Sequence, residues 1–476
     1  MDFDETYSPV ARLTSLRIVF AIAAQLWLRV HQMDVDTAFL NAELTEDIYI
    51  KPPEGFPLPP GMNCFKLKRA LYGLKQSPRE WYNNIDTFLQ KVGFKRLKSE
   101  ACLYVRTDVF EETICIIALY VDDLLIAGST LDTINQVKLE LKEKYEMKDL
   151  GRAHHLLGCE VNHDEETGTT FLSQYQFTKT AVEKFLPEHS GVLDTPCDPS
   201  VNLSKTMCPQ SAQERGEMES VPYRQAVGTL LWLSLGTRPD ISYAVSQVAK
   251  YNENPGNEHW KAVKRIFRFL KGSMKRGLKF YGINKSNEFT SRFSSLRQLG
   301  NIEVIIFQNG KRLINEKDIL EALAFVDANY ARCIDTRRSV TGFIFFIGAS
   351  PISWQSKQQV STALNTMEAE YMAACAATQE AIWLLRVLRE LGCVFTKPLT
   401  MYEDNQSCIF LSRNPGDFAK SKHIDTRYHF VREQVEAKTV ILQKINTIEN
   451  LADVFTKPLD RKLFYNITNH FMTETP

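Results

Sequence analysis

The chain has 476 residues, of which 44% are hydrophobic and 24% charged, a composition typical of globular domains and unlike that of a disordered protein. Its 57 lysines and arginines balance its 57 aspartates and glutamates, so a nucleic-acid contact would need a local basic patch rather than a global positive charge. The ten cysteines form no C-x-x-C pair, which predicts reduced thiols in a cytosolic or nuclear setting. The apolar runs reach only roughly ten residues, which is too short to cross a bilayer, and about three domains are expected at this length.

The first part of the chain mixes predicted helices and strands. Apolar spacing predicts a helix over 13–29 and a strand over 30–40, which contains Asp34 in the run MDVD. The run SPRE at 77–80 predicts a helix start with a capping box, because serine caps, proline suits the first helical position and glutamate follows three residues later.

Two adjacent aspartates, Asp122 and Asp123, interrupt the apolar run ALYVDDLLIAG. The flanking stretches 114–121 and 124–127 are rich in Ile, Leu, Val and Tyr, which predicts a hairpin with the aspartates at its turn. Burying two like charges is unfavourable unless water, protonation or a bound cation neutralises them. The pair is therefore either a polar tight turn or part of a metal site.

A helical region is predicted beyond a looser stretch at about 187–220. One helix, which contains the run HWKAVKRIFRFLKG, has a dense basic face that is either a solvated surface or a contact for a phosphate backbone. The candidate nucleic-acid-binding residues on it are Lys264, Arg265, Arg268 and Lys271. Residues 283–321 have an atypical composition, which indicates an insertion or linker.

The last third of the chain predicts a strand, a hairpin, a long helix, a strand, helices, a strand and a final helix, which is a mixed α/β order. Asp327 and Asp404 each end an apolar strand. Asn365 is a predicted cap for the long helix with Glu368 three residues on, which leaves Glu370 as the acid that faces the sheet.

Four motifs occur in order in the first half: MDVDTAFLNAELTEDIYIKPPEGF, LKRALYGLKQSPREWY, YVDDLLIAG and MKDLG followed by HHLLGCEV. They resemble the reverse transcriptase of copia-type LTR retrotransposons, over nearly all of residues 4–280. The resemblance implies an RNA-directed DNA polymerase in which Asp34, Asp122 and Asp123 bind two Mg²⁺ ions, with Mn²⁺ as a substitute. Carboxylates are the ligands that Mg²⁺ prefers.

The same resemblance implies a nucleotide site formed by Phe39, Tyr72 and Gly73. Phe39 would exclude a 2′-hydroxyl from the incoming sugar, and Gly73 would let the backbone approach the nascent base pair. From the residues alone, the simpler interpretation is a core aromatic and a turn glycine. Asp36 is not expected to be a ligand, because it lies further along the strand than Asp34.

Further motifs, AFVDANYARCIDTRRSVTGFIFF, NTMEAEYMA, MYEDNQS and ENLADVFTK, resemble the ribonuclease H domain that follows the polymerase in the same elements. The match covers about residues 322–465. It implies hydrolysis of the RNA strand of an RNA:DNA hybrid at a second site with two metal ions. The implied ligands are Asp327, Glu370, Asp404 and Asp453. An aspartate that opens a helix, as Asp453 is expected to do, is also common as compensation of the helix dipole.

The predicted fold is α/β: an α+β polymerase domain with palm, fingers and thumb, followed by a ribonuclease H-like mixed-sheet domain. The predicted domains are truncated fingers and palm at 1–175, a helical thumb or connection at 176–282, the insertion or linker at 283–321, and the ribonuclease H-like domain at 322–476. The family carries a basic fingers segment ahead of the first residue here, and its absence is expected to weaken or abolish polymerisation.

The expected partners are an RNA template, a DNA primer, an RNA:DNA hybrid, deoxynucleoside triphosphates and other Pol and Gag products of the element, with no membrane. Family biology implies a cytoplasmic particle or the nucleus. Retention of all seven expected carboxylates favours an enzyme. The alternatives are a decayed or domesticated relic that binds nucleic acid without catalysis, and a chain in which only ribonuclease H works.

Overall fold

The computed structural model describes residues 6–56, 59–108, 110–111, 113–282, 304–308, 311–312, 322–395, 397–414 and 422–474. The chain divides into two compact units, Met1–Val19 with Leu28–Ala153, and Phe20–Trp27 with His154–Pro476. Most of the predicted insertion lies outside the described residues. The finer domain boundaries at 175, 282 and 321 stay predictions.

The first unit contains a six-stranded sheet and a short two-stranded ribbon. The strands are β1 (Arg29–Val35), β2 (Tyr49–Ile50), β3 (Phe65–Lys66), β4 (Lys95–Arg96), β5 (Leu103–Asp108), β6 (Thr113–Tyr120), β7 (Asp123–Gly128) and β8 (Met147–Arg152). The sheet order is β4-β5-β6-β7-β1-β8, and β2 pairs with β3. The predicted hairpin is therefore confirmed as β6 and β7, which lie in the middle of the sheet.

Helices α2 (Ser77–Lys91) and α3 (Leu131–Lys144) pack against this sheet with their apolar sides. Helix α1 (Leu13–Leu26) is divided between the two units at Val19 and Phe20. Trp81 and Ile85 of α2 and Ile134 of α3 pack in one core with side chains of β6 and β7. The predicted capping box at the start of α2 is wrong: the Ser77 hydroxyl donates to the Leu71 carbonyl (2.6 Å), and no side chain caps this helix.

The second unit begins with a five-stranded sheet, whose order is β21-β12-β11-β10-β9. Its strands are β9 (His155–Leu156), β10 (Cys159–His163), β11 (Thr170–Ser173), β12 (Arg276–Phe280) and, at the end of the chain, β21 (Met472–Glu474). Between β11 and β12 lie α4 (Tyr175–Phe185), α5 (Ala212–Glu219), α6 (Tyr223–Gly236), α7 (Ser242–Ala249) and α8 (Asn257–Gly272). The stretch at 187–220, which was predicted to be loose, contains helix α5. Ser211 and Glu214 form a capping box that stabilises its first turn.

The same unit contains a second five-stranded sheet in the order β17-β16-β15-β19-β20. Its strands are β15 (Ala322–Asn329), β16 (Val340–Ile347), β17 (Ser350–Gln358), β19 (Leu399–Glu403) and β20 (Val440–Lys444). A small sheet joins β13 (Val304–Gln308), β14 (Lys311–Arg312) and β18 (Cys393–Phe395). The first three strands of the large sheet are antiparallel, whereas β15, β19 and β20 run parallel to one another.

The remaining helices are α9 (Thr366–Glu390), α10 (Gln406–Arg413), α11 (Lys422–Glu436) and α12 (Arg461–Thr468). The predicted cap of α9 is confirmed, because the Asn365 side chain accepts the Glu368 N–H (3.0 Å). The prediction that Asp453 opens the last helix is wrong: it lies in a 3₁₀ turn, Leu451–Phe455. The mixed α/β class is confirmed, and no helix in the described parts of the chain has the length and apolarity needed to cross a membrane.

Candidate active sites

The first candidate site lies where the β6–β7 turn meets the end of β1. Tyr120 pairs with Asp123, so Val121 and Asp122 form a two-residue turn. On the other side of β7, Asp34 of β1 pairs directly with Asp123. Directly opposite residues on one face of a sheet have side chains in contact range. The structure thus places Asp34 directly opposite Asp123, with Asp122 next to it in the turn, although the three carboxylates do not form a cluster as close as that of the second site.

The turn at this site holds an unusual backbone conformation. Val121 has a φ of +54°, which branched side chains rarely adopt. The buried indole of Trp81 donates to the Val121 carbonyl (2.8 Å), and the Val35 N–H donates to the Asp122 carbonyl (2.9 Å). Strained residues persist where their surroundings fix them, and they concentrate at functional sites. The two hydrogen bonds therefore hold the paired aspartates in one orientation.

The carboxylates of the turn are only partly compensated by the protein. Asp122 Oδ2 accepts the Tyr72 hydroxyl (2.8 Å), but its Oδ1 is buried and has no hydrogen-bond partner among the described residues. Asp123 Oδ1 accepts the Gln32 amide (2.9 Å). Burial raises the pKa of both aspartates, and the neighbouring charge of Asp34 raises each pKa further. A divalent cation would supply the missing positive charge.

The predicted nucleotide-binding residues lie beside these aspartates. The rings of Phe39 and Tyr72 lie 4.3 Å apart between centroids, and Tyr72 also reaches Asp122. Gly73 has a φ of +103°, and a Cβ built there would meet no atom within 4 Å. Its glycine is thus required by the backbone conformation, with open space beside it. Asp36 instead forms an ion pair with Lys148.

The second candidate site gathers three acids from separate elements. Asp327 lies in β15, Asp404 directly follows the parallel neighbour β19, and Glu370 lies near the start of α9. Each offers one oxygen, and these three oxygens lie within 4.8 Å of one another. Because Asp327 and Glu370 are buried, their charges lack water. Hard oxygen donors at this spacing fit Mg²⁺.

Asp453, the fourth predicted ligand, lies close to this group without belonging to the three-acid cluster. Its Oδ1 forms an ion pair with Lys457 Nζ (2.7 Å), and the same Nζ lies 3.8 Å from Asp327 Oδ2. The Thr456 hydroxyl donates to Asp327. Lys457 is therefore an internal cation of the site. The only sequence signal for it was its position four residues after Asp453, where a helical turn allows a side-chain pair.

Sequence reasoning also missed a fully buried acid, Glu403, in the same neighbourhood. Its Oε1 accepts the Asn405 N–H (2.9 Å), and its Oε2 has no hydrogen-bond partner among the described residues. Burial raises the pKa of Glu403 and Glu370 well above the usual range, and the Glu403 charge adds to the effect on Glu370. The signal was the adjacent pair in MYEDNQ, whose first acid looked like an ordinary strand residue.

Most of the predicted nucleic-acid-binding residues of α8 are bonded to a preceding segment, residues 188–198. The bonds join Arg265 to Asp198 (3.1 Å), Arg268 Nε to the Gly191 carbonyl (2.8 Å) and Lys271 Nζ to the Glu188 carbonyl (2.8 Å). Lys264 differs, since its Nζ lies 6.0 Å from the centre of the Trp260 ring. Their contact with nucleic acid stays a prediction.

Comparisons with known proteins address the family. A family model described as reverse transcriptase (RNA-dependent DNA polymerase) matches residues 1–197. The chain is 40% identical over 466 residues to the retrovirus-related Pol polyprotein from transposon TNT 1-94 of Nicotiana tabacum. The matched region covers 98% of this chain and 32% of that relative. The chain is also 30% identical over 350 residues to the putative transposon Ty5-1 protein YCL074W of Saccharomyces cerevisiae. That match covers 73% of this chain and 100% of the yeast protein.

These matches identify the class of protein: the chain is related to the reverse transcriptases of transposons. The chain belongs to the copia-type Pol polyproteins of retrotransposons, as the motifs predicted. It spans about a third of the length of the first plant relatives it matches, 32% and 29%. Among solved structures, the N-terminal ribonuclease H domain of rv2228c from Mycobacterium tuberculosis, fused to maltose-binding protein, is 10% identical, and the match covers 31% of this chain and 96% of that one with a TM-score of 0.23.

Replacing Tyr72 by phenylalanine tests how the first site manages its charge. A cation that binds Asp122 competes with the Tyr72 hydroxyl for Oδ2, so Tyr72→Phe is expected to tighten binding of Tb³⁺ or Mn²⁺ by roughly fivefold, the equivalent of about 1 kcal/mol. Terbium luminescence, measured in a Glu370→Gln background, reports the first site. Tyr49→Phe, at an exposed tyrosine of β2, is the control. Weaker binding in Tyr72→Phe would mean that the hydroxyl orients the ligand instead.

The second site predicts an unusual dependence of stability on pH. Burial raises the pKa of Asp327 and Glu370, and it raises that of Asp453 to about 7. The folded chain then binds more protons than the unfolded chain between about pH 4 and 7, so its stability falls as pH rises through that window. In EDTA, the melting temperature should fall from pH 5 to 8.

Two comparisons isolate that effect. Mg²⁺ should raise the melting temperature more at pH 8 than at pH 5, because ligands must be deprotonated to bind a metal. Glu370→Gln, which stays neutral, should flatten the pH profile in EDTA. A melting temperature that rises with pH in EDTA, for both proteins alike, would contradict the expectation.

Proposed function

We propose that the chain is an RNA-directed DNA polymerase with a second catalytic centre that hydrolyses the RNA strand of an RNA:DNA hybrid. The observation that carries the proposal is the presence of two separate groups of carboxylates, one in each compact unit. Membership of the Pol family supports the same assignment. The substrates are an RNA template, a DNA primer, deoxynucleoside triphosphates and the hybrid.

In the polymerase centre, Asp34, Asp122 and Asp123 would hold two Mg²⁺ ions, with Mn²⁺ as a substitute. Bound Mg²⁺ lowers the pKa of a hydroxyl nucleophile and neutralises charge on a leaving pyrophosphate. The chain's own residues orient these ligands: Trp81 and the Val35 N–H fix the turn, and Gln32 holds Asp123. The protein's work is thus mainly positioning.

The aromatic pair Phe39 and Tyr72 would form one wall of the nucleotide site. Phe39 is 7% exposed, so its ring is fixed by packing and meets a substrate as a rigid surface. Tyr72 links this wall to Asp122 through its hydroxyl. The open space beside Gly73 suits a close approach of the backbone to a base pair.

In the nuclease centre, Asp327, Glu370 and Asp404 would be the principal ligands of Mg²⁺, with Asp453 beside them. The buried Oε2 of Glu370 has no hydrogen-bond partner among the described residues, which is consistent with a ligand role. Metal-activated water is the expected nucleophile on the scissile phosphate.

A second candidate, a chain that binds nucleic acid without turnover, is favoured by one observation. Lys457 already supplies a positive charge to Asp453 and lies near Asp327, so part of the nuclease site is neutralised by the protein. Activity measurements decide between the two candidates.

Separate single substitutions should abolish separate activities. Asp123→Asn is expected to reduce primer extension on an RNA template by at least a hundredfold and to spare hybrid degradation, because the two acid groups are distinct. Glu370→Gln should do the reverse. Two controls should retain both activities: Asp36→Asn, which lies just after β1 and forms an ion pair with Lys148, and Glu368→Gln, which lies in α9 like Glu370. Loss of both activities from one ligand substitution would contradict independent centres, and inactivity of the unmodified chain in Mg²⁺ and in Mn²⁺ would favour the binding candidate.

Phe39→Val tests the selection of the sugar. A smaller side chain leaves room for a 2′-hydroxyl, so the ratio of ribonucleotide to deoxyribonucleotide incorporation should rise roughly tenfold, a difference of about 1.4 kcal/mol in the transition state. The ratio of kcat/KM values for the two nucleotides measures it. An equal loss for both nucleotides would indicate that Phe39 only supports the core.

A further inference from the structure

A large cavity in the second unit is unrelated to either group of acids. Its volume is about 680 Å³, within the usual range of about 300–1,000 Å³ for small-molecule sites. The cavity is bounded by the chain between residues 186 and 203, by α7 and α8, and by residues 332–334 after β15. Val201 and Ile334 line it although they are 46% and 53% exposed. The wall therefore offers an apolar surface to a ligand.

The charge of the lining is strongly positive in a chain whose net charge is zero. Six basic residues face two acidic ones, a difference of four positive charges. The six are Lys250, Lys261, Lys264, Arg265, Arg268 and Arg332, and the two are Asp198 and Glu258. Each acid is already paired, Asp198 with Arg265 (3.1 Å) and Glu258 with Lys261 (2.6 Å).

The other basic side chains have no carboxylate partner among the described residues. Lys250 Nζ donates only to the Gln247 amide oxygen (2.6 Å), and burial lowers its pKa. Arg265 is paired with Asp198 through Nη1, but its buried Nε has no hydrogen-bond partner among the described residues. The nearby carboxylate of Asp335 is occupied by the Lys205 N–H (2.9 Å) and the Tyr251 hydroxyl (3.1 Å). Partly buried cations without counter-charge are unfavourable unless an anion joins them.

We propose that this cavity binds a phosphorylated nucleoside, with the phosphate against Lys250, Lys264 and Arg332, which have no carboxylate partner among the described residues, and the nucleoside against the apolar wall. The choice of a nucleotide among phosphate esters rests on the proposed function. The phosphate belongs either to a free nucleotide or to the end of a nucleic-acid strand. This assignment also gives Lys264 a role that its helix face alone did not define.

The test measures binding of a fluorescent N-methylanthraniloyl nucleoside diphosphate to the whole chain in EDTA, so that metal-dependent binding at the polymerase centre does not contribute. The double substitution Lys250→Met and Lys264→Met should weaken binding at least tenfold, because it removes two uncompensated charges. Lys179→Met, an exposed lysine of α4 outside the lining, should bind like the unmodified chain. The melting temperature should not fall in the double variant, since the methylene stems are kept and a partly buried charge is removed.

Thiol protection locates the bound probe. Cys333 lines the cavity and Cys64 is exposed in the first unit, so nucleotide should slow alkylation of Cys333, measured by mass spectrometry, and leave Cys64 unchanged. Competition separates the two sources. Displacement by a mononucleotide indicates a free nucleotide, displacement only by a 5′-phosphorylated oligonucleotide indicates a strand end, and an unphosphorylated nucleoside should not compete.

No binding in EDTA, equal binding by the double variant, or equal protection of both thiols would overturn the proposal. Primer extension measured on the same preparations keeps the two questions apart: extension without cavity binding rejects only the cavity, and cavity binding without extension rejects only the polymerase.

Discussion

Pairing of β-strands places like charges opposite one another in both candidate centres, and the rest of each site depends on that constraint. Asp34 faces Asp123 across an antiparallel pair, while Asp327 and Asp404 come from the ends of two parallel neighbours. Carboxylates at such spacing repel unless a cation, a proton or hydrogen-bond donors intervene. Without one of these compensating groups, acids at these positions would lower the stability of the fold. The surrounding residues are therefore best understood by how each one manages negative charge.

The two centres manage it differently. The first candidate centre is half exposed, and neutral donors, the Tyr72 hydroxyl and the Gln32 amide, contact its aspartates. The second candidate centre is mostly buried, with Asp404 half-buried, has the cation Lys457 and includes Glu403 as an additional acid. Burial raises the pKa of Glu370 and Glu403 there, so a proton competes with a metal ion for these carboxyl groups. The first centre therefore relies on neutral hydrogen-bond donors, whereas the second contains a charged lysine beside its acids.

Local patterns carried the prediction furthest. Two apolar runs rich in Ile, Leu and Val located the β6–β7 hairpin, and the Asn365 cap located the start of the long helix, because both signals depend on near neighbours in sequence. The pairing of β1 with β7 joins residues about ninety positions apart, and only the family motifs anticipated that Asp34 would meet the turn. Ser77 does not cap α2, because its hydroxyl instead donates a hydrogen bond to the carbonyl of Leu71 in the preceding loop. Glu403 and Lys457 were missed for a similar reason. An acid in a strand and a lysine after a turn do not indicate a site until the tertiary fold brings them close to the other acids.

The basic helix α8 concentrates positive charge in a chain whose net charge is zero. Because positive and negative residues are equal in number, long-range attraction of a polyanion is weak, and binding must come from short-range contacts. Three of its cations fasten the 188–198 segment, so their charge is partly used within the fold. That segment in turn forms a wall of the cavity, beside cations that have no acid of their own. Arg265, Arg268 and Lys271 of α8 thus hold the 188–198 segment in place, whereas Lys264 lines the cavity without a carboxylate partner among the described residues. This arrangement concentrates positive charge at the cavity instead of distributing it over the surface of the helix.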